Sequence, residues 1–304
     1  MADPLLQPFQ LKHLTLKNRV ISTSHEPAYS EEALPKARYR LYHEEKAKGG
    51  IGMTMIGGSS IVAPDSPQAF GNLYVGSDAI IPWFKELTAG VHKHGAAVMC
   101  QITHLGRRTS WAKEHWLSVI SPSSVREPAH RAFPKEMEDF DFTRVVAAYG
   151  AGARRCREGG LDGIEIEAYG HLFDAFWSPN TNERTDQYGT QSLDNRLRFS
   201  FDVLREVRRQ VGVVVGPQIR RGGGVAVPAR VVADQPPPAA EQVARALDDV
   251  AARGGQAVDQ HDRRALAGGR AGQHEAVAAV DAEGNRLWTG ARDHREVRFL
   301  PDKV

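Results

Sequence analysis

The chain has 304 residues, 41% hydrophobic and 25% charged, enough for one large α/β barrel or two ordinary domains with a sizeable core. Its 39 Lys and Arg nearly cancel its 37 Asp and Glu, which gives no footing for a polyanion such as nucleic acid. The opening MADPLLQPFQLKHLTLKNRV has no charged head followed by an apolar stretch, and no later run approaches the ~20 apolar residues needed to cross a bilayer, so a cytoplasmic protein with no membrane partner is expected.

In chain order, Arg19 to Thr23 is a short apolar run ending in polar residues, and 36–48 (KARYRLYHEEKAK) has helical spacing closed by Gly49-Gly50. A second strand is expected at 52–58 (GMTMIGG), with a helix at 80–94 ended by Gly95 in a C-cap position. A third strand at 96–102 (AAVMCQI) leads through a long loop to a helix with Asp141 as a plausible N-cap, running to Glu158 before Gly159-Gly160. A fourth strand at 162–168 (DGIEIEA) precedes another long loop and a helix around 193–210. Four strand-helix units in series imply a parallel sheet, because each helix supplies the crossover that parallel pairing requires. The loops after the strands are long and polar and those after the helices short. That is the pattern of an α/β fold closing as a (β/α)8 TIM barrel with its chemistry at the C-terminal rim, of which the first four to five units are recognisable.

The pattern stops near residue 212. Residues 213–304 hold only Trp288 and Phe299 as aromatics and Ile219 as their one isoleucine, and arginine is abundant there against the single Lys303. Stretches such as RRGGG, QPPPAA and AGGRAGQ mark 222–304 as an atypical tail rich in Arg, Ala, Gly and Pro, which cannot build an ordinary core. Two origins fit: a disordered extension, or a GC-rich gene read in a shifted frame. A break in the middle of a structural repeat favours the shifted frame. The domain division expected is 1–221 for the N-terminal half of a barrel and 222–304 for the tail. Cys100 and Cys156 are too few and too far apart in sequence for a disulfide framework or a metal knuckle, so no metal site is expected. His92 and His94 mark a helix end with no metal role.

Three stretches carry a family likeness: PLLQPFQLKHLTLKNRV at 4–20, AVMCQITHLGRR at 97–108 and GIEIEAYGHLFDAFWSPNTNERTDQYGTQSLDNRLRF at 163–199. In order and spacing they resemble the old yellow enzyme (NADH:flavin oxidoreductase) family. HEPAY at 25–29, THLGRR at 103–108, REPAHRAFPKEMED at 126–139 and EAYGHL at 167–172 resemble its branch of N-methylproline (stachydrine-pathway) demethylases and related amine dehydrogenases. The resemblance implies an FMN-binding oxidoreductase that demethylates a small methylated amine or amino acid, with an NAD(P)H-dependent ene-reductase as one alternative. An inactive truncated product, at best a self-associating half-barrel or homo-oligomer, is the other.

The same resemblance implies roles for particular residues. Thr23, Ser24 and His25 would end the first strand beneath the isoalloxazine, Gly57 and Gly58 would allow close approach at the second strand, and Gln101 would face the pyrimidine edge. Arg220 stands at the family's spacing for a cation near the flavin. Tyr169 and His171 fall where relatives place the pair that grips substrate over the flavin, and tyrosine in place of a second histidine suits an amine better than an alkene. Arg107, with Arg108 and His104, offers a guanidinium fork for the carboxylate of an amino-acid substrate. Blander roles remain open at several positions. Gly57-Gly58 also fit an ordinary turn, Gln101 a buried amide paired with a neighbouring strand, and Arg108 a surface salt bridge. Glu26 and Glu167 suit a substrate ammonium or merely a backbone amide. Long relatives of this branch pass electrons through an iron-sulfur cluster and a second nucleotide-binding domain, and here no cysteine follows Cys156 to ligate a cluster.

Overall fold

A computed structural model describes residues 3–11, 13–66, 68, 71–108, 117–129 and 133–212, with the backbone alone of four later strands at 218–220, 226–228, 276–280 and 286–291. A hairpin of β1 (Phe9–Leu11) and β2 (Leu14–Leu16) comes first. The parallel sheet is built from β3 (Val20–Ser22), β4 (Met53–Ile61), β5 (Ala97–Thr103) and β8 (Gly163–Ile166), paired in that order. Between them run the crossovers α1 (Ala37–Lys48), α2 (Ile81–His92) and α3 (Asp139–Glu158), and α5 (Leu193–Val211) follows β8. Two short strands, β6 (Ile120–Ser121) and β7 (Lys135–Glu136), pair within the loop after β5, and the short α4 (Leu172–Trp177) sits in the loop after β8. The backbones of β9 (Gln218–Arg220) and β10 (Ala226–Pro228) form an antiparallel pair, while β11 (Ala276–Val280) and β12 (Arg286–Ala291) extend the sheet antiparallel from β3.

Strand parity sorts the core into two layers. Ile56, Val98, Cys100, Ile102, Ile164 and Ile166 pack with Phe84, Leu87, Val145, Tyr149 and Val203 of the helices. Met53, Met55, Ala97 and Met99 point to the other face, where Leu16 of the hairpin packs among them. One step further along that inner face come Gln101 and its register partner Glu165. The inside of the sheet therefore turns from thioether and alkyl to polar as the strands approach their C-terminal ends.

Several expected boundaries shift, two of them by three residues. The second strand does not stop at Gly57-Gly58 but continues to Ile61 through an irregularity between Ile56 and Ser60. Asp141 is not the N-cap of α3. The helix begins at Asp139, and the Asp141 carboxylate, buried in its first turn, accepts the backbone N–H of Glu138 at 3.0 Å. Gly95 has φ of +67° and closes the turn after α2, donating to His92 O at 2.8 Å. No helix among the described residues is long and apolar enough to cross a membrane.

Candidate functional site

At the end of β3, Thr23 is buried, and the rings of His25 and Tyr42 lie 6.4 Å apart. Lys46 of α1 donates to Ser22 Oγ at 3.0 Å and stands 4.2 Å over the Tyr42 ring. Beside them Glu26 Oε1 accepts the Ala28 N–H at 2.9 Å, whereas Oε2 is buried with no partner. Burial pushes the Glu26 carboxyl up to about 8, only partly offset by the Ala28 hydrogen bond. At neutral pH it is mostly a protonated acid. A substrate ammonium would therefore have to ionise it first, whereas a hydrogen-bond acceptor would meet a ready donor.

The glycines of β4 serve this corner. A Cβ on Gly58 would lie 2.8 Å from the backbone of His25 and 2.9 Å from Glu26 N, and one on Gly57, at φ of +67°, would lie 1.9 Å from Ser60 Oγ. They lie within β4 and are not a turn; the missing side chain of Gly58 lets the β3 exit loop lie against the strand, and that of Gly57 leaves room for Ser60 and the Gln101 carbonyl. Gly57 N–H donates to Tyr39 Oη at 2.8 Å, and burial, reinforced by the charge of Glu26, keeps that phenol well above its usual range.

Gln101 is buried on the inner face, and its amide donates to Glu165 Oε1. The amide is thus held by a neighbouring strand, in the place where the sheet turns polar.

Past β8, Tyr169 is 42% exposed. His171 precedes α4, with Nε2 3.5 Å from Glu167 Oε2 and Nδ1 buried without a partner. Between them Gly170 has φ of +76°, and a Cβ there would lie 2.8 Å from Arg108 Nη1. Asp174, in the first turn of α4, accepts the Gly170 N–H, while its own N–H donates to Ala168 O at 3.2 Å. Burial raises the Asp174 carboxyl to about 6 against the lowering by that amide, His171, Arg108 and Arg107. Sequence reading passed over Asp174; the signal available was an acid four residues beyond the glycine of the Tyr-Gly-His run.

Arg107 Nη1 donates to Val125 O at 3.0 Å and Arg126 O at 2.9 Å, so this guanidinium ties the rim loop to the end of β5. Burial lowers its pKa. His104 is wholly buried. Its Nδ1 accepts the Gly106 N–H at 3.0 Å, so Nε2 carries the proton and donates to Asp65 at 3.1 Å. Burial alone would raise Asp65, but His104 and Arg144 hold it far below the usual carboxylate range. His104 is thus a structural anchor and not part of a substrate fork. His92 likewise pairs with Asp162, at 2.8 Å. Among the described residues no group of three His, Cys, Asp or Glu is placed to hold a metal ion. The side chain of Arg220 lies outside the described residues, although its backbone falls in β9.

The long stretch after α4 stitches the rim. Arg184 Nη1 reaches Pro122 O, Met137 O and Glu136, Glu183 N–H donates to Ser123 Oγ, and Asn182 bridges Phe176 O and Tyr188 O. Tyr188 stacks on Phe142 with ring centres 3.8 Å apart.

Parallel strands whose polar side chains and longest loops gather at one rim are the arrangement of an α/β barrel that carries its chemistry at the C-terminal ends of its strands. Residues 4–220 match the family model described as NADH:flavin oxidoreductase / NADH oxidase family, and the chain belongs to that family. It is 57% identical over 210 residues to the "Probable N-methylproline demethylase" of Rhizobium meliloti (strain 1021), covering 69% of this chain and 31% of the relative. It is 53% identical over 211 residues to the "Multifunctional alkene reductase/demethylase OYE" of Caballeronia cordobensis, covering 69% and 31%. A solved 2-naphthoyl-CoA reductase complex superposes with a TM-score of 0.66 at 26% identity, over 72% of this chain and 36% of that one. The chain thus spans less than a third of the length of these two curated relatives.

Proposed function

We propose that residues 1–221 form the N-terminal part of an FMN-dependent oxidoreductase that oxidatively removes an N-methyl group from a small amine or amino acid such as N-methylproline. The observation that carries this reading is the rim beyond β8: an exposed tyrosine beside a histidine–carboxylate pair, Tyr169 with His171 and Glu167. The likeness to a relative named as an N-methylproline demethylase supports it.

The residues at the strand ends fit one side of a flavin. Glu26 Oε2 and His171 Nδ1 are buried polar atoms without partners, and Gln101 lies where the inner face turns polar. Thr23, Ser24 and His25 would lie beneath the ring system, Gly57 and Gly58 would shape its second side, and Gln101 would meet the pyrimidine edge. FMN, when bound, supplies the hydride acceptor. The phenol of Tyr169 orients the amine so that its methyl carbon faces the ring system. The amine must arrive without its extra proton, since its lone pair drives hydride departure, and the His171 ring, with Nδ1 unpartnered and Nε2 facing Glu167, can take that proton. Water then hydrolyses the resulting iminium to the demethylated amine and formaldehyde. Arg107 spends Nη1 on loop carbonyls, so any contact with a substrate carboxylate falls to its remaining N–H groups or to Arg108.

The second reading, an NAD(P)H-dependent ene-reductase, is supported by the likeness to a relative named for both activities. Anaerobic mixing of the purified, FMN-loaded chain separates the two. Bleaching of the flavin band by N-methylproline with release of formaldehyde supports demethylation; bleaching only by NAD(P)H, with reoxidation by an activated alkene, supports reduction. A colourless chain that takes up no added FMN overturns both for this chain.

A further inference from the structure

Tyr169 is held at the rim by a bracket that the flavin chemistry does not itself require. The Asp174 N–H donates to Ala168 O, immediately before Tyr169, and the Asp174 carboxylate accepts the Gly170 N–H, immediately after it. Gly170 is in the left-handed region, with the Arg108 guanidinium against the place where a side chain would project. The backbone on both sides of the exposed phenol is therefore tied to one residue of α4.

We propose that Asp174 is a positioning residue that fixes Tyr169 at the rim through the Gly170 amide, and that its grip depends on the carboxylate being ionised. This rests on the reading of Tyr169 as the group that orients the substrate. An ionised carboxylate makes a markedly stronger hydrogen bond to an amide than a neutral acid does. The charged groups that face Asp174 are His171 at the start of α4 and Arg107 and Arg108 on the loop after β5, with Glu127 facing Arg107 and Glu167 facing His171. Arg108 and Arg107 favour the anion, as does the His171 ring whenever it holds a proton, whereas burial opposes it and raises the carboxyl to about 6. The bracket is thus poised to loosen on mild acidification: above its midpoint the loop is pinned, below it Gly170 keeps only a weak acceptor.

The test uses the full chain labelled with 15N-glycine, following the chemical shift and hydrogen exchange of the Gly170 amide between pH 4.5 and 8. The wild-type signal is expected to titrate with a midpoint near 6, and its protection, corrected for intrinsic exchange, to fall about tenfold below that midpoint. Asp174→Asn retains an acceptor, so its Gly170 amide should stay at the weakly protected level with no inflection. Asp174→Ala should lose protection throughout. A folded wild type with no inflection between pH 5 and 7, or an Asn variant with the same inflection, overturns the proposal, and neither result depends on the Ala variant folding. Neither flavin nor amine is present, so failure here is distinct from failure of the demethylation reading, which the anaerobic mixing experiment reports.

Discussion

Two corners of the molecule each hold a buried carboxyl, and they treat it in opposite ways. Behind β5, Asp65 is shared between His104 and Arg144, and its partners overcome burial and keep it ionised. At the end of β3, Glu26 has one amide for one oxygen and nothing for the other, and burial wins. The cost of desolvation has the same sign in both; the partners decide the outcome. A corner that needs only to hold the loop saturates its acid, whereas the corner beside the residues expected beneath the flavin leaves an atom over.

The largest effect is expected at the saturated corner. Asp65→Ala would strand the buried His104 ring and the Arg144 guanidinium, which is also paired with Asp141, and should destabilise the fold by roughly 3–5 kcal/mol in denaturant unfolding. A loss below about 1 kcal/mol would show that the network is not what seats the loop after β5.

Glu26→Gln should move the other way. The carboxyl is raised from 4.5 to about 8, so the unfolded chain releases this proton at lower pH than the folded one. Its contribution is complete below pH 4.5 and is lost progressively as pH rises to about 8. A glutamine, which cannot ionise, should therefore match wild type at pH 4.5 and gain on it above, by about 2–3 kcal/mol at pH 7 after discounting for the partial exposure of the side chain. Equal stability of the two proteins from pH 5 to 8 would contradict a protonated Glu26 and remove the contrast between the corners.

Gly58→Ala tests why the second corner is so tight. Its Cβ would meet the backbone of His25 and Glu26 at 2.8–2.9 Å, and backbone cannot swing aside as a long side chain can. A cost of roughly 1–3 kcal/mol is expected from thermal or denaturant unfolding, together with weaker FMN uptake if the β3 loop shifts. An alanine variant as stable as wild type would mean that the loop has slack.

These contrasts also show what sequence could and could not supply. The four strand-helix units were legible because apolar runs and closing glycines report local backbone geometry, and α1, α2 and α5 lie within two residues of the expected spans. Asp141 misled because an acid in the first turn and an acid at the cap look alike in one dimension; which one receives the free N–H depends on where the chain turns. The stretch 163–199 carries much of the family likeness, yet between Asn182 and Tyr188 its side chains mostly bind loop carbonyls and pack on Phe142. A distinctive sequence there reflects the demands of an irregular loop as much as those of chemistry. Arg107 and His104 show the same limit, since residue type names a donor but not its acceptor. Asp174 carries only a faint mark in the sequence, its spacing from Gly170, because its importance lies in bracketing Tyr169, a relation that exists only once β8 has turned into α4.

The smallest effect on stability is expected at the residue given the largest role in chemistry. Tyr169 is 42% exposed, and the backbone on either side of it is tied to Asp174. Tyr169→Phe removes only the hydroxyl and should change unfolding free energy by less than about 0.5 kcal/mol, with the Gly170 amide still protected. If the phenol orients the amine, the same variant should slow anaerobic flavin bleaching by N-methylproline by roughly 10–100-fold, the range for losing one positioning hydrogen bond of about 1.4–2.8 kcal/mol, while FMN uptake is unchanged. A phenylalanine variant that bleaches at the wild-type rate would move substrate orientation from Tyr169 to the His171–Glu167 pair. A variant that unfolds easily would mean that the ring, and not only the bracket beneath it, holds the rim together.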